Sequence, residues 1–164
     1  MTRLHVSYGT NKVLAARVVL FDSSTDVAVL YVPHLNAPPL RFTGSAPRGS
    51  DAVVAGYPPG ARLRAVPARV GSQWSAQGPN IYQTGTVTRA VYAVRVIPPN
   101  VGGPLLAKSG KVYGVIFAGS RTACDTWFAL TASAVGPDVR RGARAVTPVS
   151  THGCLWPRPP SRSP

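Results

Sequence analysis

At 164 residues, 45% of them apolar, the chain has room for one domain with a packed core and too little for two, and it is too apolar for global disorder. Its net charge of +13 comes from 18 basic and 5 acidic residues, none of them glutamate. The basic residues are spread along the chain and only Arg140, Arg141 and Arg144 cluster. Nucleic-acid modules concentrate charge on one stripe with aromatics interleaved, so a biased composition explains the charge better and nucleic acid is not the expected partner.

No apolar run reaches the length of a membrane span. The opening MTRLHVSYGTNKVL has neither an apolar h-region nor a small-residue cleavage site, so no export signal is expected in the chain as it stands.

In chain order, short β-like segments follow one another. Leu4 to Tyr8 alternates apolar and polar residues, and the runs Leu14 to Phe21 and Val27 to Val32 are the near-continuous apolar stretches of buried strands. Pro33, Pro38 and Pro39 break the chain before Leu40 to Phe42, and Pro47 to Ser50 reads as a linker. Ala52 to Tyr57 is the next strand. Arg62 to Val70 is extended, with Pro67 demoting it to an edge or a bend. Ile81 to Tyr82, Val87 to Val96, Pro104 to Ala107, Val112 to Ala118 and Phe128 to Thr131 continue the series, with a hairpin turn at Ser109 and Gly110. Ser133 to Arg144 is the one helical stretch, weakened by Gly136 and Pro137. Such regular short strands imply an all-β sandwich or barrel, and the break near residues 44–50 divides it into two sub-barrels.

The two cysteines, Cys124 and Cys154, sit in no metal-ligand spacing, so neither a metal nor another cofactor is expected. A disulfide between them stays open, since spacing alone does not supply its geometry.

Two motifs narrow the fold. Thr25-Asp26-Val27-Ala28-Val29-Leu30 places a carboxylate at the head of a buried strand. Asn100-Val101-Gly102-Gly103-Pro104-Leu105-Leu106 is followed by Gly110-Lys111-Val112-Tyr113-Gly114-Val115-Ile116-Phe117. The second resembles the nucleophile loop of chymotrypsin-fold serine proteases, and the first resembles the segment that supplies their triad aspartate. Further stretches, among them Pro38-Pro39-Leu40-Arg41-Phe42, Val53-Val54-Ala55-Gly56-Tyr57-Pro58 and Phe128-Ala129-Leu130-Thr131-Ala132, resemble the periplasmic trypsin-like proteases of actinobacteria, in which the protease domain follows a CvpA-like membrane anchor. The resemblance runs from about Leu4 to Cys154. It implies a chymotrypsin-like double β-barrel with an incomplete N-terminal barrel and a short C-terminal helix. The expected division is a remnant sub-barrel in residues 1–46, a second sub-barrel plus helix in residues 47–147, and a disordered proline-rich tail in residues 148–164.

The resemblance also assigns the site. Asp26 takes the triad aspartate position, but Val101 stands where the family has its serine, and an isopropyl group has no lone pair with which to attack a carbonyl. Pro99 stands where the family has an oxyanion-donating N–H, which proline lacks. The histidine is expected upstream of Met1, with His5 a solvent-facing strand residue and His34 and His152 in loop or tail. By the same resemblance, the partner of Cys154 lies upstream and Cys154 is free. Phe117, Ala118 and Gly119 align with the strand to which family members add a substrate peptide, a contact that needs no nucleophile. The leading expectation is therefore a catalytically inactive serine-protease domain that retains binding of extended peptide segments. The alternatives are an active serine endopeptidase, if Val101 or the start codon is not the natural one, and a basic nucleic-acid-binding β-barrel. The family is membrane-anchored and extracytoplasmic, and the chain itself gives no compartment.

Overall fold

The computed structural model describes residues 4–8, 12–57, 62–97 and 101–152. Nine strands and one helix are formed among them. The first three strands, β1 (Leu4–Tyr8), β2 (Lys12–Asp22) and β3 (Val27–Tyr31), make an open antiparallel sheet in the order β1-β2-β3. The next six, β4 (Asp51–Gly56), β5 (Arg64–Pro79), β6 (Thr86–Arg95), β7 (Pro104–Ala107), β8 (Val112–Gly119) and β9 (Thr126–Thr131), close into a barrel in the order β4-β5-β6-β9-β8-β7. Helix α1 (Ala132–Gly142) follows β9 directly.

The barrel interior holds the main core, in which Val54, Val94, Leu105, Ile116 and Ala129 are fully buried. Ala46 belongs to it as well, its N–H donating to the Tyr92 hydroxyl at 2.9 Å. A second cluster forms on the outer face of the barrel, where Val91, Leu130 and Val135 bring β6, β9 and α1 together and Val27 of β3 packs against them. Period-two alternation produces both clusters: Tyr92 and Val94 point inward, while Val91 points outward.

Several local expectations are corrected. Ile81 and Tyr82 are in a turn, because the Asn80 side chain accepts from the N–H groups of Tyr82 (3.1 Å) and Thr84 (3.0 Å) and closes the loop between β5 and β6. Leu40 to Phe42 forms no strand, only a single parallel bridge between Phe42 and Val112. The extended segment ending at Val70 runs on to Pro79, with a bulge between Val70 and Gln73. Pro67 fits this strand because it pairs only with Val53 of β4, and the β6 ladder begins later, at Arg69.

The helix forms despite Gly136 and Pro137. Thr131 caps it, accepting from the Ala134 N–H at 3.2 Å, and Val135 and Asp138 are buried, so tertiary packing outweighs the one bond that Pro137 forfeits. Of the tail expected to be disordered, residues 148–152 are placed against the first sheet and the turn between β5 and β6: the Val149 N–H donates to the Val18 carbonyl at 2.9 Å, and the Tyr82 hydroxyl donates to the Thr151 carbonyl. Residues 153–164, including Cys154, lie outside the described residues. Cys124 is exposed and free. Among the described residues no helix is long and apolar enough to cross a membrane, and no cluster of metal-ligating side chains occurs.

Candidate active-site cleft

The tight turn between β2 and β3 carries Asp26. The Asp22 carboxylate shapes it by accepting from the N–H groups of Ser24 (2.8 Å) and Thr25 (3.2 Å), and Asp26 itself lies in the left-handed region at φ 61°. The turn is docked on the rest of the molecule from two sides. The Thr25 hydroxyl donates to the buried Asp138 of α1 at 2.8 Å, and Arg141 pairs with both Asp138 and Asp22. From β6, the Arg89 Nε donates to the Ser24 carbonyl at 2.6 Å, while Nη1 and Nη2 reach the Pro79 carbonyl at 3.2 and 3.3 Å.

These ties hold the first sheet over the outer face of the barrel and leave a cleft of about 520 Å³ between them. Asp26, Leu30, Phe42, Val101 and Phe117 are among its lining residues. Two residues singled out 75 positions apart in sequence, Asp26 and Val101, thus face one cavity. Asp26 lines the cleft and is itself exposed. Desolvation pushes its carboxyl above the usual carboxylate range, against the pull of the Arg89 guanidinium. Among the described residues that carboxylate accepts no hydrogen bond and forms no ion pair.

Val101 is 62% exposed, in the turn that leads into β7. After it, the Gly102 N–H donates to the Ile116 carbonyl at 2.7 Å and the Ile116 N–H donates to Gly103 at 3.0 Å, so the loop is zipped to β8. Pro99, at the expected oxyanion position, lies outside the described residues. None of the three histidines lines the cleft: His5 is exposed on β1, and His34 and His152 are exposed outside the strands.

Pairing of β8 with β7 ends at Val115, and the loop contacts continue it only to Ile116. Ala118 and Gly119 pair with Phe128 and Trp127 of β9, Phe117 lies in a bulge just before them, and no strand lies on their other side among the described residues. Gly119 is required here by close approach, since a Cβ at this position would meet the Trp127 ring at 2.9 Å. The expected peptide-binding segment is thus an open strand edge that begins at the cleft.

Sequence reasoning missed Arg89. Its role depends on contacts with Ser24 and Pro79, which are distant in sequence or in a loop, and the one local signal was its placement on the outer face of β6, two residues before Val91.

A family model described as a trypsin-like peptidase domain matches residues 2–115. The serine protease Rv3671c of Mycobacterium tuberculosis is 41% identical over 167 residues, an alignment that covers 94% of this chain and 42% of the relative, so the chain spans less than half the length of that protein. The crystal structure of the active form of the Rv3671c protease superposes with a TM-score of 0.85 at 40% identity, covering 91% of this chain and 67% of that one. The inactive form of the same protease gives a TM-score of 0.71 at 42% identity, covering 79% of this chain and 68% of that one.

Proposed function

The chain belongs to the trypsin-like peptidase domain family and has its chymotrypsin-like fold, and from that premise we propose that it is a non-catalytic member that keeps the family's peptide-binding edge. The observation that carries this reading is the exposed Val101 side chain on the same cleft as Asp26. Acyl transfer on this fold needs a nucleophilic oxygen, a base to take its proton, a carboxylate to hold the base and donors for the oxyanion. Asp26 supplies the carboxylate. Val101 supplies no nucleophile, Pro99 carries no N–H whatever its conformation, and no described histidine lies on the cleft.

Peptide binding asks for less. An extended segment added to β8 beside Ala118 and Gly119 gains main-chain hydrogen bonds without any bond being broken. The reading is tested with one sample and two measurements. Casein stays uncleaved, and titration with a blocked extended peptide shifts the amide resonances of Ala118 and Gly119. Casein turnover assigns the serine-protease activity named for the mycobacterial relative to this chain as well. Unmoved amides remove the peptide-binding half of the proposal.

A further inference from the structure

We propose that the outer face of the barrel carries a binding site for a small aromatic carboxylate, in the pocket bounded by Trp74, Phe117 and Arg89. The site is independent of peptide binding at β8 and of any chemistry at the Asp26 cleft.

The ladder between β5 and β6 pairs Trp74 with Val91 and Ala76 with Arg89. Partners directly opposite share a face, as do residues two apart on one strand, so these four side chains stand on one face of the barrel. It is the outer face, since Val91 packs there with Leu130 and Val135. Phe128 lies on the same face of β9, two residues before Leu130, and meets the Trp74 ring edge to face, with centroids 5.8 Å apart and planes at 86°.

Helix α1 and β3 cover the Val91 side of this face and leave beside it a cavity of about 300 Å³. The fully buried Val91, the half-buried Ala76, Phe117 and Phe128, and Trp74, which is 40% exposed, supply its apolar lining. A cavity of this size is at the small end of ligand sites and holds about one ring with a short substituent. Its aromatic walls favour a flat ring, which gains edge-to-face and offset contacts beyond plain area burial.

The charge of the ligand follows from Arg89, the one charged residue in the lining. Its guanidinium carbon is 5.9 Å from the Phe117 ring centroid. On its other flank is Gly78, also in the lining, where a Cβ would lie 4.0 Å from Nη1. The cation is therefore held at the pocket between two of its lining residues. Nε is tied to the Ser24 carbonyl and Nη1 and Nη2 to the Pro79 carbonyl, so the side chain is fixed before any ligand arrives, and the remaining N–H groups are left to donate. Both tethers are neutral carbonyls, and among the described residues Arg89 forms an ion pair with no carboxylate. A carboxylate reaching it from a ring on Trp74 makes a charge-assisted hydrogen bond to a donor already in place, whereas an ammonium there meets its own sign. The net charge of +13 attracts anions to the surface at longer range.

Three ligands of one shape test the proposal: 3-phenylpropionate, 3-phenylpropionamide and 3-phenylpropylammonium, with acetate as the carboxylate that lacks a ring. Each is titrated into the whole chain, and binding is read from the Trp74 indole N–H resonance. The propionate is expected to shift it saturably with a Kd of about 1 mM or below, and to bind about tenfold more tightly than the amide, the ammonium or acetate. Ala76→Leu fills the cavity and leaves Trp74 and Arg89 in place, and it is expected to weaken the propionate at least about tenfold. Arg89→Gln is expected to make the propionate and the amide equal. Equal affinities for propionate and amide in the unaltered chain, unchanged propionate binding in Ala76→Leu, or no saturable shift of the indole resonance overturns the proposal.

Discussion

Gly142 in the last turn of α1 lies so close to Val29 of β3 that a Cβ built on it would sit 2.6 Å from the Cβ and both methyl carbons of Val29. The helix is thereby seated directly on the first sheet, and no side-chain rotation of Val29 relieves the contact, since its Cβ is involved. Gly142→Ala is expected to destabilise the protein by about 1–3 kcal/mol even though alanine is the better helix former, because the helix and β3 must separate. Chemical denaturation checks this, and a gain in stability would show that the seating is loose.

The Thr25 hydroxyl and the Asp138 carboxylate tie the turn that bears Asp26 to the helix. Asp138 is buried, so the loss of a donor leaves it short of a partner where water does not replace it. Thr25→Val is expected to cost about 1–3 kcal/mol, and Thr25→Ser, which retains the donor, much less. Equal losses in the two variants would mean that the methyl group, not the hydrogen bond, holds the turn.

The Asp26 carboxyl has a folded-state pKa raised by burial, against the pull of Arg89. Between the unfolded and the raised folded value the folded state binds more protons, so stability falls as pH rises through that window and the penalty stays in force above it. Asp51 has the opposite sign: hydrogen bonding to Lys108 and the charge of Arg69 lower its pKa, and what it contributes is lost as pH falls. Asp26→Asn is therefore expected to raise the melting temperature at neutral pH and to lose that advantage on acidification below the unfolded value. The asparagine also accepts the left-handed backbone at this position. A melting temperature that drops at neutral pH would indicate that the ionised carboxylate has a stabilising partner.

Among the described residues strand β3 pairs with β2 alone, whereas β8 lies between β7 and β9 in the closed barrel. Amide exchange is expected to be faster in Val27–Tyr31 than in Val112–Val115 by more than about tenfold, or about 1.4 kcal/mol of opening free energy. Equal protection would make the sheet and the barrel one cooperative unit.

The fold was legible wherever β-branched runs are bounded by proline or glycine. Pro104–Ala107 forms a strand with the bounds read from the sequence, and Val27 to Val32 differs by one residue. Strand β5 was legible only to Val70, because Gly71, Gln73, Ser75 and Gln77 erase the apolar period over its second half, and the bulge there resets the faces. Ile81 and Tyr82 misled because their β-propensity is local, while the Asn80 side chain that bends them acts through hydrogen bonds. At the site, Asp26 and Val101 were found from motif order, and the cleft that unites them has no local signature. Its ties, Thr25 to Asp138 and Arg89 to Ser24, join residues 113 and 65 positions apart.

The proposed absence of catalysis is tested most directly by intact-mass measurement after treatment with a fluorophosphonate, which adds covalently to an activated serine. The chain is expected to keep its mass, and Val101→Ser is expected to keep its own, because a hydroxyl restored at position 101 has no base on the cleft to take its proton and Pro99 still offers no oxyanion donor. Stoichiometric addition of one phosphonyl group to the unaltered chain, abolished by prior heat denaturation, would contradict the account.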